Sequence, residues 1–227
     1  MILEGLRKQV LDAARQMSHL GLVRGTSGNV SARDAGTGLV AITPSSLPYD
    51  TLEPGDIVVV DLSGKAMDLS GKAVDLSGKA IEGTHRPSSE TPMHTAVYRA
   101  RPDVLAVMHT HSPHATAFGV AGSPLPAVTV PLAIYGPVLV ALFELPGTVE
   151  LAGECVRALG GEGMAVLLQN HGILTVGRTV PEALEVALYV EEGAQVALLC
   201  YAAGTLNLIP EKQAREIKRA WKAGRGA

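Results

Sequence analysis

The chain has 227 residues, 47% of them hydrophobic, with 19 Lys and Arg against 22 Asp and Glu for a formal charge of −3. That is ample material for a packed core, which excludes global disorder, and it lacks the basic excess of a dedicated nucleic-acid binder. Aromatic residues make up only 4%, leaving few platforms on which bases could stack.

Leu3, Leu6, Val10, Ala13, Ala14 and Met17 recur at helical spacing and predict an amphipathic first helix ending near Gly21. Short β-like pieces follow at Asn29 to Arg33, Leu39 to Thr43 and Ile57 to Asp61. A helix fits Thr91 to Arg101, with Pro92 in its first turn and Pro102 closing it. Val104 to His109 reads as a strand, Pro113 to Val120 as a short helix, and Val138 to Leu142 as another strand. Thr148 to Leu159 is a predicted helix, Ala165 to Leu168 and Ile173 to Val176 a strand pair, Val180 to Ala203 a long helix, and Pro210 to Lys222 a charged last helix. Several strand pairs are joined by turns too short for a parallel crossover, so a mixed, mainly antiparallel sheet flanked by helices is expected, in one domain over 1–227.

Three near-identical heptads, each Asp-Leu-Ser-Gly-Lys-Ala plus one apolar residue, fill 61–81. Units of seven are too short for a solenoid, and the Ser-Gly dipeptide is a turn signal, so the expectation is a duplicated hairpin tip. Met1 to Lys8 lacks the pattern of a signal peptide, and the most apolar run, Ala127 to Phe143, is broken by Pro131, Gly136 and Pro137. Cys155 and Cys200 both fall in predicted helices and read as reduced thiols. A cytoplasmic protein with no membrane and no nucleic-acid partner is expected.

Five of the seven histidines lie between His85 and His114. On a strand, alternation places His109 and His111 on one face, and two imidazoles at that spacing can share a divalent metal ion. A catalytic zinc takes a third protein ligand, for which His171 in Gln169-Asn170-His171-Gly172 is the candidate, Gly172 permitting a tight turn. Ser88, Ser89 and Glu90 precede Pro92 at a helix N-terminus, where free backbone N–H groups favour an anion; the same residues also serve as ordinary caps. Gly25 to Ser31 and Thr43 to Ser46 are two further hydroxyl-rich loops, neither a Walker loop nor a dinucleotide fingerprint. Together these elements suggest a phosphorylated substrate beside a Lewis-acid metal. His94 and His114 read as structural or supporting.

Gly28-Asn29-Val30-Ser31, Thr43-Pro44-Ser45-Ser46, Pro87-Ser88-Ser89-Glu90, His109-Thr110-His111 and Asn170-His171-Gly172 occur in the order found in the class II aldolase and adducin-head family, which this chain resembles from Gly25 to about Gly177. The resemblance implies a three-layer α/β/α fold with a central, mostly antiparallel mixed sheet, interrupted here by the heptad insertion at 61–81. It implies a homotetramer with sites at subunit interfaces. It assigns His109, His111 and His171 as zinc ligands, with cobalt or manganese also suited, and Glu90 as the catalytic acid/base that can also touch the metal. Gly28, Asn29, Ser45, Ser46, Ser88 and Ser89 match its phosphate-holding positions. The activity implied first is retro-aldol cleavage of a small ketose 1-phosphate, fuculose 1-phosphate-like. The alternatives are a methylthioribulose-1-phosphate-like dehydratase, a 4-epimerase and a non-enzymatic adducin-like interaction domain. The epimerase branch carries Asp where this chain has Glu90. The aldolase branch adds a Tyr from a neighbouring subunit, where this chain reads Thr129-Val130-Pro131 with Tyr135 offset.

Overall fold

The computed structural model describes residues 1–62, 66–67, 73–74, 80–82 and 85–224. Its elements in chain order are α1 (Glu4–His19), β1 (Asn29–Arg33), β2 (Val40–Ile42), β3 (Val58–Val60), β4 (Ala66–Met67), β5 (Ala73–Val74), β6 (Ala80–Glu82), α2 (Thr91–Ala100), β7 (Ala106–Thr110), α3 (Pro113–Val120), α4 (Val130–Tyr135), β8 (Leu139–Ala141), α5 (Val149–Leu159), β9 (Ala165–Leu168), β10 (Gly172–Gly177), α6 (Val180–Ala202) and α7 (Glu211–Gly224). The elements expected from sequence are present, with ends shifted by a residue or two. The strand expected over Val104 to His109 starts at Ala106 and runs to Thr110, so His111 follows it directly.

Helix α4 was not foreseen. It lies inside the apolar run that Pro131 and Gly136 break, yet its start carries a legible signal: the Thr129 side chain accepts from the Leu132 N–H, and Pro131 sits in the first turn. Helices α5 and α6 have the same threonine cap, at Thr148 and Thr179, and α6 also has a proline, Pro181, in its first turn.

Strands β6-β3-β2-β1-β7-β10-β9-β8 form one sheet in that order. Every neighbouring pair is antiparallel except β8–β9, the pair that α5 connects. Strands β4 and β5, inside the heptad segment, pair antiparallel with each other. Most of that segment lies outside the described residues.

Alternation along the strands divides the core between two faces. Val30, Ala32, Ala106 and Met108 pack with α1 and α6, while Val107, Leu174 and Val176 pack with Met93 and Val97 of α2 and Leu151 and Cys155 of α5. Farther along the α1/α6 face, Leu167 and Ile173 meet α3, α4 and α6. The result is helices, sheet, helices in three layers, each buried aliphatic side chain contributing about 1.5–3 kcal/mol by leaving water. No helix among the described residues is long and apolar enough to cross a membrane.

Candidate metal centre and active site

The parity that packs the core also builds the site. His109 is two residues beyond Val107, so it emerges on the α2/α5 face of the sheet. Asn29 lies opposite His109 in the β1–β7 register, and Leu174 lies opposite it on β10. Asn29 and Ser31 are out of phase with Val30 and Ala32 and therefore share that face. Helix α2 begins there with Glu90 at its N-cap. The turn between β9 and β10 returns His171 to the same end: Asn170 adopts φ 55°, and the His171 N–H bonds the Leu168 carbonyl at 3.1 Å.

His109, His111 and His171 meet with ring centroids 4.7–5.2 Å apart, and their ligating atoms all lie within 4.8 Å of one another. The His109 Nδ1–H donates to the Ile173 carbonyl at 2.9 Å, which fixes the tautomer and leaves the Nε2 lone pair facing His111 Nε2 at 3.0 Å. Burial, followed by the charges His171 and His111 would carry, holds His109 well below the ordinary imidazole value. Burial lowers His111, and burial with His111 brings His171 down to about 4. All three rings are therefore neutral at pH 7, the state in which imidazole ligates metal.

The donor set fits a divalent ion. The His109 Nε2 lone pair either accepts from His111 Nε2–H at 3.0 Å or, with that proton displaced, shares a cation with it. His171 Nδ1 and Glu90 Oε2 are buried without a hydrogen-bond partner among the described residues. Three imidazoles whose ligating atoms converge this closely can hold one divalent metal ion, with the Glu90 carboxyl group lining the same cavity.

One cavity of about 160 Å³ is lined by Gly28, Asn29, Ser45, Ser46, Ser88, Ser89, Glu90 and the three histidines, with Thr26, Ser27 and Pro44. Every site residue expected from sequence thus lines one space. The Thr43–Ser46 loop is zipped to the segment that leads into Glu90: Ser45 N–H donates to the Arg86 carbonyl at 3.0 Å and Ser88 N–H to the Thr43 carbonyl at 3.1 Å, with a bridge between Pro44 and Pro87. Gly28 cannot be replaced without displacing its neighbours. Its φ is +76°, and a Cβ would fall 2.8 Å from the His109 carbonyl and 2.5 Å from Val23. Burial pushes the Glu90 carboxyl up to about 7, and a backbone hydrogen bond from Gly147 opposes the rise.

Some contributors carry no sequence motif. Gly147 reaches Glu90 from the loop before α5, at φ +80° and where an added Cβ would fall 3.0 Å from the Ser89 carbonyl oxygen. The Tyr49 hydroxyl donates to the Gly28 carbonyl at 2.5 Å, tying the first loop to the segment after β2. Tyr135 does not reach the cavity. It is 3% exposed, stacked on Tyr189 and edge-on to Trp221.

The sequence profile of the Class II Aldolase and Adducin N-terminal domain matches residues 8–198. The chain belongs to the class II aldolase and adducin family, among its enzymes. It is 35% identical over 223 residues to the 5-deoxy-D-ribulose 1-phosphate aldolase of Bacillus thuringiensis serovar kurstaki, covering 98% of each chain. It is 36% identical over 207 residues to an L-ribulose-5-phosphate 4-epimerase of Salmonella paratyphi B, covering 86% of this chain and 85% of that one. A solved L-fuculose 1-phosphate aldolase superposes with a TM-score of 0.87 at 31% identity, 96% of each chain being covered. Class II aldolases are metal-dependent, and the three-histidine group can hold such a metal.

Proposed function

We propose that the protein is a zinc-dependent lyase that cleaves a small ketose 1-phosphate between C3 and C4, releasing dihydroxyacetone phosphate and a short aldehyde. The observation that carries this reading is the convergence of three neutral imidazoles, a buried carboxyl group and three hydroxyl-rich segments on one cavity. The names of the relatives favour a 5-deoxypentulose 1-phosphate, with acetaldehyde as the second product, over fuculose 1-phosphate.

His109, His111 and His171 would hold the ion, which when bound supplies Lewis acidity at the ketose carbonyl and offsets the charge of the enediolate. Cobalt and manganese also suit three imidazoles. Glu90 handles the proton at carbon. In cleavage the C4 hydroxyl gives its proton to solvent as the C3–C4 bond breaks and C4–O becomes the aldehyde carbonyl, and the Glu90 carboxylic acid protonates C3 of the three-carbon fragment; in condensation its carboxylate removes that proton from the hydroxymethyl carbon and solvent protonates the former aldehyde oxygen. A carboxyl raised to about 7 offers both forms at neutral pH. Gly28, Asn29, Ser45, Ser46, Ser88 and Ser89 hold the phosphate through backbone N–H groups, the amide and the hydroxyls, which aligns the scissile bond without entering the chemistry.

The second reading, a 4-epimerase, has the support of the Salmonella relative, but Glu rather than Asp at position 90 favours the aldolase. A homotetramer with sites at its interfaces fits the exposed apolar run beside Gly147, in which Leu142, Phe143, Leu145 and Val149 are each at least half exposed.

The test measures metal content and dihydroxyacetone phosphate release together on a panel of 5-deoxyribulose, methylthioribulose and fuculose 1-phosphates. One equivalent of zinc with release is the expected result. Zinc without cleavage of any substrate refutes the aldolase, and no metal after zinc is added back refutes the mechanism.

A further inference from the structure

His94 lies one turn into α2 from Glu90, is 0% exposed and takes no part in the mechanism above. Its ring spans two residues of β1: Nε2 is 2.6 Å from Asn29 Oδ1, and Nδ1 is 2.7 Å from Ser31 Oγ. Ser31 Oγ is in turn 2.7 Å from the Tyr98 hydroxyl. The chain closes because alternate residues of a strand, about 6.7 Å apart, match residues one turn apart on a helix, about 6 Å.

A proton count gives this chain its direction. Tyr98 is 1% exposed, so its buried hydroxyl proton needs an acceptor. Among the described residues Ser31 Oγ is the acceptor within reach. Ser31 therefore passes its own proton toward His94 Nδ1, which accepts as a neutral ring. His94 then carries its proton on Nε2 and donates to Asn29 Oδ1. Run in reverse, with His94 Nδ1–H donating to Ser31, either the Tyr98 or the Ser31 proton loses its partner and the His94 Nε2 lone pair faces Asn29 Oδ1 at 2.6 Å, the costly arrangement. Burial brings His94 down to about 3, in keeping with a ring that never becomes doubly protonated near neutrality.

We infer that His94 is a positioning residue that makes Asn29 a hydrogen-bond donor toward an anion in the cavity. With its oxygen held by His94, the Asn29 amide can present only its NH₂ to the space it shares with Gly28 and Ser88. A flipped amide would put oxygen lone pairs against the anion. The inference rests on the proposed reading of Asn29 as a phosphate contact, and it adds the reason a histidine stands behind it.

The experiment uses the full chain with ¹⁵N-labelled histidine. Long-range ¹H–¹⁵N correlation is expected to show His94 protonated at Nε2; protonation at Nδ1 overturns the inference. Titration with inorganic phosphate is expected to weaken on the order of tenfold in His94→Phe with zinc content unchanged, and to recover in His94→Gln, whose amide can donate to Asn29. Wild-type phosphate affinity in folded His94→Phe, or loss of its zinc, overturns the positioning role. Should His94→Phe not fold, Asn29→Asp decides. It keeps the bond from His94 and points a carboxylate oxygen at the cavity, so phosphate binding should fall at least tenfold; unchanged binding is the refuting result. Failure to release dihydroxyacetone phosphate bears on the aldolase reading alone and leaves the tautomer and the phosphate titration as they stand.

Discussion

Gly172→Ala is a one-carbon perturbation whose consequence can be worked from the structure. A Cβ at 172 would fall 2.3 Å from the Thr110 carbonyl oxygen, 2.9 Å from His111 Cδ2 and 3.2 Å from His109 Cε1. Ordinary contact begins near 3.4 Å, so the first residues of β10 must withdraw by about 1 Å. That movement carries His171, the preceding residue, and the Ile173 carbonyl that holds His109 Nδ1–H, so two of the three imidazoles lose their aim together. Overpacking of a buried strand costs about 1–3 kcal/mol, and loss of a ligand's outer support typically costs about 10–100-fold in metal affinity. Chelator competition reads the zinc affinity, and urea unfolding in EDTA reads the stability without metal linkage. Gly153→Ala on α5 is the control, because nothing lies within 4 Å of its added carbon; it should be neutral or stabilising by about 0.5–1 kcal/mol. Wild-type zinc affinity in Gly172→Ala would refute the argument that this close approach aims the ligands.

Glu90→Gln should abolish exchange of the hydroxymethyl proton of dihydroxyacetone phosphate with solvent while zinc stays bound; retained exchange removes Glu90 from its role. His109→Ala and His111→Ala should each lose stoichiometric zinc by metal analysis, and full occupancy in either would refute the three-histidine site. For His94 the folded value of about 3 lies below the ordinary 6.5, so the unfolded chain binds the proton more readily. Its contribution to stability is complete above pH 6.5 and is lost as pH falls toward 3, amounting to about 2 kcal/mol by pH 5. Urea midpoints at pH 7.5 and 5 should therefore converge more in His94→Gln than in wild type. Equal pH dependence in the two proteins would count against a neutral buried ring.

Much of this was legible because the relevant signals are local. Alternation in Val107-Met108-His109 sends His109 to one face, and the same period in Asn29 to Ser31 brings that residue pair to meet it. Pro92 and Pro102 bracket α2, which fixes Glu90 at its start. What stayed hidden depends on distant partners. The Gly147 N–H reaches Glu90 across 57 positions, and the Tyr49 hydroxyl holds Gly28 from 21 positions away; neither contact has a periodic signature. The direction of the hydrogen bonds from Tyr98 to Asn29 likewise needs α2 packed on β1, which spacing alone does not supply. Helix α4 is obscured by the proline that begins it, because the same residue marks both a break and a first turn.

The rung that pairs Asn29 with His109 sets a length. Residues directly opposite on antiparallel strands stand about 5 Å apart, and the hydrogen-bond ladder makes that interval rigid. If phosphate is held at one end of the rung and the carbonyl is polarised at the other, the sheet measures the three-carbon half that every ketose 1-phosphate shares and is indifferent to what lies past C3. Selectivity among sugars then falls to segments outside the sheet, and a change of aldehyde requires no change in any strand. Efforts to retune such an enzyme would do best to leave the strands alone and vary the loops that border the cavity's open side.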